Sequence, residues 1–350
     1  MIFASDNTGP VHPKVLEAMA AANDGYAMPY GNDPVTQGAR DAVRALFEAP
    51  DAVVEFVTTG SVANALALAC FTQPWNGIFC HHIAHVDGDE CGAPEFYTGG
   101  AKLILVDGAD GKMDPAALEA AIVEAADRGV HGVQPGPVTL TSINEAGSAY
   151  SINEIQVLAE IAKRHGLPVH LDGARFANAC AALGCSPADM TWKAGVDAVS
   201  FGGTKNGCMG VEAVVIFDPA KGRELELRRK RGGHLLSKGR YLGAQMAAYA
   251  AGDLWLEMAQ AANASMASLV QGLAQVPGAR VCHPVAGNLG FFELPKSAHE
   301  RAFAAGAVYY LFPSNAMEGA GPDDLIRCRI VMDWSKSGAD VAALLAAWRG

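Results

Sequence analysis

Of the chain's 350 residues, 50% are hydrophobic and 18% are charged. This composition excludes disordered, collagen-like and low-complexity classes and leaves room for a large domain with a smaller one. The balance of 26 Lys+Arg against 37 Asp+Glu gives a formal charge of −11, which would repel a phosphate backbone, so nucleic acid is not an expected partner. The eight cysteines make no CxxC pair and no zinc-finger spacing. No segment approaches about 18 uninterrupted apolar residues. The expectation is a cytoplasmic protein with free thiols, no metal and no membrane span.

In chain order, residues 13–22 and 37–48 space their apolar positions three and four apart and predict helices. The β-rich run VVEFVT (53–58) stops at Thr59-Gly60, just before the Ala/Leu-rich SVANALALACF. KLILVD (102–107) precedes a helical pattern over 114–129, and VTLTSI (138–143) precedes another over 152–166. PVHLD (168–172), VDAVSF (196–201) and VEAVVIF (211–217) add three strands, apolar nearly throughout, as strands covered on both faces are. From about residue 240 an Ala-rich helical stretch leads into weaker strand patterns, GNLGFFEL and LIRCRIVM. The expected architecture is α/β, with a mostly parallel sheet flanked by helices over residues 1–240 and a smaller C-terminal α+β unit over 241–350. Function is expected at the carboxyl ends of the strands.

Three such ends carry chemistry. At Thr59-Gly60-Ser61, free N–H groups at a helix start, two hydroxyls and a close-approach glycine make a cup for an anion, although Ser61 could simply cap the helix. Neither GxxxxGK[ST] nor GxGxxG is present. Asp172, in VHLDGARF, ends a strand three residues before Arg175, which permits either a structural ion pair or a carboxylate facing the crevice. Lys205, in GGTKNG, follows another strand end, where a solvated lysine would be unremarkable. Together, an anion cup, a strand-end acid and a strand-end lysine are the anchors that pyridoxal 5'-phosphate requires. Lysine bonds its aldehyde carbon, the acid pairs with its pyridine nitrogen and backbone donors hold its phosphate.

With these residues in view, the chain resembles the threonine aldolases, in the fold-type-I pyridoxal-phosphate transferase fold and the beta-eliminating lyase group. The resemblance runs through Ser5-Asp6-Asn7, Tyr30-Gly31-Asn32-Asp33, Thr59-Gly60-Ser61, His85, HLDGARFANA (170–179), SFGGTKNG around Lys205 and Arg329 in RCRIVMDW. It implies that Lys205 carries the cofactor, Asp172 pairs with its ring nitrogen and Thr59, Gly60 and Ser61 hold its phosphate. It further implies that His85 stacks on the ring, that Ser5, Arg175 and Arg329 hold the substrate carboxylate, and that His131 is a second histidine beside the substrate hydroxyl. Where many members have an ENTH-like run, this chain reads TSINEAGSAYS.

The implied reaction is retro-aldol cleavage of L-threonine, L-allo-threonine or a related β-hydroxy-α-amino acid to glycine and an aldehyde. A phenylserine aldolase, a β-eliminating lyase and an aminotransferase are the alternatives. A homodimer or homotetramer is implied, with the basic run 226–240 reaching a neighbouring site through Lys230, Arg231 or Arg240, although such a run can equally be a solvated helix face. His81, His82 and His85 form a cluster that could hold a metal or only line a loop, and no metal is expected there.

Overall fold

In the computed structural model, which describes residues 1–350, the larger sheet has seven strands. They are β1 (Val53–Val57), β2 (Asn76–His81), β3 (Lys102–Val106), β4 (Gln134–Thr141), β5 (Val169–Gly173), β6 (Ala198–Gly202) and β7 (Glu212–Ile216), in the order β1-β7-β6-β5-β4-β2-β3. β7 runs antiparallel to both its neighbours, and every other pair is parallel. The fold is therefore the α/β arrangement the sequence predicts. Every residue of β5, β6 and β7 is buried, which explains their nearly continuous apolar sequences.

β2 has no counterpart among the predicted strands. NGIFCH opens on a turn after Trp75 and runs into His81-His82, so only Ile78, Phe79 and Cys80 read as apolar; all three are fully buried. The second predicted helix begins at Pro34 rather than 37, because the Asp33 carboxylate accepts the Thr36 N–H (2.8 Å) and hydroxyl (2.7 Å) as its cap. The helix Ile152–Arg164 starts with a reciprocal capping box between Ser151 and Glu154.

The second sheet is antiparallel and contains β8 (Arg280–Val281), β9 (Leu289–Pro295), β10 (Tyr310–Phe312) and β11 (Leu325–Val331), in the order β10-β11-β9-β8. The Ala-rich stretch from 240 is two helices, Arg240–Ala250 and Leu254–Gly272, separated at Gly252, whose φ is +55°. Side-chain packing forms two principal cores. Leu242, Met246, Tyr249, Trp255 and Met258 belong to the core of the seven-stranded sheet, whereas Phe3 packs with Met266, Phe292 and Trp348 in the core of the smaller one. Phe3 also exchanges backbone bonds with Val308 and Val331. We propose that the two units follow these cores, with residues 240–260 in the larger unit and the first residues bound to the smaller one.

The parallel strands point their carboxyl ends toward one edge of the sheet. There, segments after β1, β2, β5 and β6 meet the start of β7.

Candidate active site

A cavity of about 350 Å³ opens at this edge, lined by Asn7, Thr58–Ser61, Asn64, His85, Asp89, Asp172, Ala174, Thr204, Lys205 and Glu212. Strand β1 delivers the first wall. Thr59, not Ser61, caps the helix Gly60–Ala69: its hydroxyl oxygen accepts the Val62 N–H at 3.3 Å, and the first intrahelical bond is Ala63 N–H to Thr59 O. Two of the four unpaired donors of this helix start thus remain at Gly60 and Ser61. A Cβ built on Gly60 would meet nothing within 4 Å, so the backbone there borders open space. A phosphate fits this cup.

β5 and β6 place the acid and the lysine side by side. Asp172 is opposite Ser200 in register, and the strand ends approach so closely that a Cβ at Gly173 would lie 2.4 Å from Ser200 O. Asp172 is buried. Its Oδ1 accepts the Ala174 N–H at 2.9 Å and its Oδ2 accepts the Asn64 amide at 3.0 Å. Two residues earlier on the strand, His170 lies between the Thr139 hydroxyl (2.8 Å) and the Ser200 hydroxyl (3.0 Å); burial lowers it to about 4, so it is a neutral support beneath Asp172. Lys205 follows β6 in the turn Thr204–Asn206. The turn is anchored by the Asn206 amide, which donates to Tyr249 Oη at 2.9 Å and Trp255 O at 2.8 Å.

After β2, His85 enters from the third side. Its Nδ1 lies 2.8 Å from Glu90 Oε1, and the Asn64 amide donates to the same oxygen at 2.9 Å, so Asn64 ties Glu90 to Asp172. The bond to Glu90 raises the His85 pKa above its ordinary value, against the opposing effect of burial. The neighbouring histidines turn elsewhere: His82 pairs with Asp107 at 3.0 Å, and His81 lies 3.1 Å from Gly108 O.

Arg175, just after β5, Arg329, on β11, and Ser5 are not among the residues lining this cavity, although the charge of Asp172 acts on Arg175 and that of Asp89 on Arg329. Arg175 donates from Nε to Asp6 Oδ2 (2.7 Å) and from Nη2 to Asp6 Oδ1 (3.1 Å), with both residues buried. Burial alone would raise Asp6, but Arg175 and the nearby charge of Lys205 bring it below the usual carboxylate range. Arg329 lies over the rings of Tyr310 (5.6 Å) and Phe312 (5.8 Å) and donates to Ala4 O at 3.3 Å, while its buried Nε has no partner. Burial, then repulsion from Arg175, lowers its pKa. Ser5 is half-buried between these arginine contacts, and its hydroxyl oxygen accepts the Asn7 N–H at 3.1 Å.

His131 does not join them. It is exposed in the turn Gly129–His131, immediately before the amino end of β4, whereas the cavity lies at the carboxyl ends. The expectation for His131 is corrected accordingly, since a parallel strand separates its two ends by its full length. The segment 141–151 closes a turn in which the Asn144 amide donates to Asp110 O (3.0 Å) and Ser148 Oγ (2.8 Å), and it supplies no histidine in place of His131. In the basic run, Arg229 is buried in an ion pair with Glu55 (2.6 Å) that Arg40 shares. Lys230 covers the Tyr30 ring at 5.2 Å, and Arg240 donates to Gly25 O at 3.1 Å.

Asp6, Asn64, Glu90 and Glu212 are site residues that the sequence reading did not select for a role. For Asn64 and Glu212 a signal existed, namely a polar residue inside an otherwise apolar helix (VANALALA) or strand (VEAVVIF).

The fold and the residues of the cavity fit a pyridoxal-phosphate enzyme, and comparison with known proteins makes the class a lyase. The family model for beta-eliminating lyases matches residues 3–294. The low specificity L-threonine aldolase of Pseudomonas aeruginosa is 42% identical over 310 residues, 89% of each chain. The structure of Leishmania major threonine aldolase superposes with a TM-score of 0.91 at 28% identity, covering 99% of this chain and 98% of that one. For the fold alone, a serine palmitoyltransferase from S. paucimobilis solved with bound PLP-myriocin matches at a TM-score of 0.68 and 16% identity, over 100% of this chain and 86% of that one. The chain belongs to the beta-eliminating lyase family, among its threonine aldolases.

Proposed function

We propose that this enzyme cleaves L-threonine and L-allo-threonine to glycine and acetaldehyde. The observation that carries the reading is the convergence of Lys205, Asp172 and the Gly60-Ser61 donors on one cavity. Lys205 would form the covalent link to the cofactor, Asp172 would hold a proton at the ring nitrogen, and Thr59, Gly60 and Ser61 would bind the phosphate. Once bound, the cofactor supplies an attachment point for the substrate amine and an electron sink for the bond that breaks.

The chain's own groups do the rest. Arg175 and Arg329, with Ser5, orient the substrate carboxylate by charge-assisted bonds and so select which Cα bond is cleaved. His85 would pack against the cofactor ring; its Nδ1 is engaged by Glu90, so Nε2 is the nitrogen left to accept the β-hydroxyl proton, directly or through water. Loss of that proton opens the Cα–Cβ bond, the aldehyde leaves, and a proton returned to Cα completes glycine.

Lys205 is the one lysine or arginine lining the cavity. A phosphate dianion there invites a further cation, which supports assembly into at least a dimer in which Lys230, Arg231 or Arg240 of the partner subunit completes the site. The free state of all eight cysteines fits a reducing cytoplasm, and no helix is long and apolar enough to cross a membrane. The test is an absorption spectrum of the purified protein followed by aldehyde release from threonine, allo-threonine and phenylserine. Cofactor binding without aldehyde from any of the three would reject the aldolase reading, and a preference for phenylserine would reassign the substrate.

A further inference from the structure

β7 is the one strand of the seven-stranded sheet that runs against the others, so its first residue, Glu212, stands at the edge where the parallel strands end. It is opposite Val57 of β1 on one side and Gly202 of β6 on the other. Its carboxyl group is buried, accepts the Gly203 N–H at 3.0 Å, and lines the same cavity as Thr58, Thr59, Gly60, Ser61 and Thr204. A carboxylate in a strand whose other residues are Ala, Val and Ile is costly, and its bonds to Gly203 and Thr204 tie it to the turn that carries Lys205. It also sits on the wall from which the phosphate would be held. A dianion entering a cavity of about 350 Å³ beside a second anion must be met by a cation or by a proton.

We propose that Glu212 makes binding of the cofactor phosphate proton-linked: its carboxyl group takes one proton from solvent when the phosphate enters the Thr59–Ser61 cup and returns it when the phosphate leaves. This inference rests on the pyridoxal-phosphate reading of the site. The neutral carboxyl keeps an oxygen to accept the Gly203 N–H and gains an O–H that can donate toward the anion. The charged groups acting on Glu212 are Lys205, which favours its charged form, and Asp172, which opposes it; Cys208 and Tyr249, whose thiol and phenol burial pushes up, are its other titratable neighbours. His85 and Asp89 line the same cavity. Burial already pushes Glu212 to about 7, with bonds from Thr204 and Gly203 holding it back, so the proton exchanges near neutrality. The sign follows: anion binding is strongest when Glu212 is protonated and weakens as pH rises through and beyond 7.

Sulfate does not titrate in this range and serves as the probe for the cup in the cofactor-free full-length protein. Between pH 6.5 and 8.5 its Kd should rise with pH, approaching tenfold per unit at full coupling. Compared in a His85→Asn background, which removes the cavity's other group titrating in this range, Glu212→Gln, which keeps the acceptor for Gly203, should bind sulfate with a flattened profile. Calorimetry of pyridoxal 5'-phosphate binding above pH 8, in buffers of different ionisation enthalpy, provides a second measurement; there wild type should take up about one more proton than Glu212→Gln, and about half that at pH 7. Equal proton uptake in the two proteins, or equal sulfate slopes, overturns the inference, as does a flat wild-type profile; a partner cation beside the phosphate offsets one of its two charges and leaves the Glu212 charge still to be met. Failure of the wild-type chain to bind pyridoxal 5'-phosphate at all would instead reject the site reading.

Discussion

Asp6 and Arg175, 169 residues apart, meet in a buried two-bond ion pair of 2.7 and 3.1 Å that joins the N-terminal turn to the end of β5. Arg175 commits the edge formed by Nε and Nη2 to Asp6, so a substrate carboxylate must use what Nη1 still offers. Asp6 is therefore a positioning residue for Arg175. Asp6→Asn strands a buried guanidinium and should lower the unfolding free energy by about 3–5 kcal/mol. The acidic partner's pKa is depressed in the folded state, so the wild-type advantage should be complete above about pH 4 and fade as pH falls below it. Urea denaturation at pH 7 and pH 3, with KM for threonine, checks this; unchanged stability and KM would remove the positioning role.

Arg329, on β11 and stacked on Tyr310 and Phe312, is the second proposed anchor for that carboxylate. A planar fork binds two carboxylate oxygens where lysine offers one point of charge. Arg329→Lys should raise KM and reduce kcat/KM, tenfold for each ~1.4 kcal/mol lost, with the cofactor spectrum intact. Normal turnover by this variant, or loss of its cofactor, would show that Arg329 does not read the carboxylate.

Glu90 fixes which nitrogen of His85 faces the site and stabilises its charged form. His85 must be neutral to accept a proton, so activity should fall as pH drops through its raised pKa. In Glu90→Gln the cationic form loses its partner, and the acid limb of kcat/KM should move to lower pH. The plateau rate should also fall, by less than the ~10²–10⁴ usually attributed to a general base. An NMR titration of His85 read alongside the rate profile would detect the shift, and identical limbs would rule out Glu90 as the residue that sets it.

Lys205→Ala should abolish the visible band near ~420 nm expected of a lysine-bound cofactor and prevent borohydride from fixing the cofactor to the chain. Fixation to another lysine would reassign the residue.

Asp172→Asn should still bind the cofactor but turn over threonine slower by orders of magnitude, because an amide cannot hold the ring nitrogen protonated. Full activity would dismiss this role. The same carboxylate depends on Asn64, whose amide is shared with buried Glu90, so Asn64→Leu should weaken both partners.

β5 and β6 and the two segments that follow them were legible without a structure. Their apolar runs declare buried parallel strands, and HLDGARF and GGTKNG interrupt those runs at the point where the chain must turn. Burial and turn chemistry act over a few residues, so Asp172, Lys205 and the Gly60-Ser61 cup could be placed at strand ends from local pattern alone. The partners of those residues could not. Asn64 reaches Asp172 across 108 positions and Asp6 reaches Arg175 across 169, and no local periodicity encodes such distances. β2 escaped because its apolar run is three residues long. His131 was misplaced because its position in the chain does not reveal which end of β4 it occupies, and Glu212 became a site residue only because β7 runs against its neighbours. Side-chain pattern determined which residues end strands; only packing of the sheet against its helices decided which of those ends, and which buried polar groups, share one cavity.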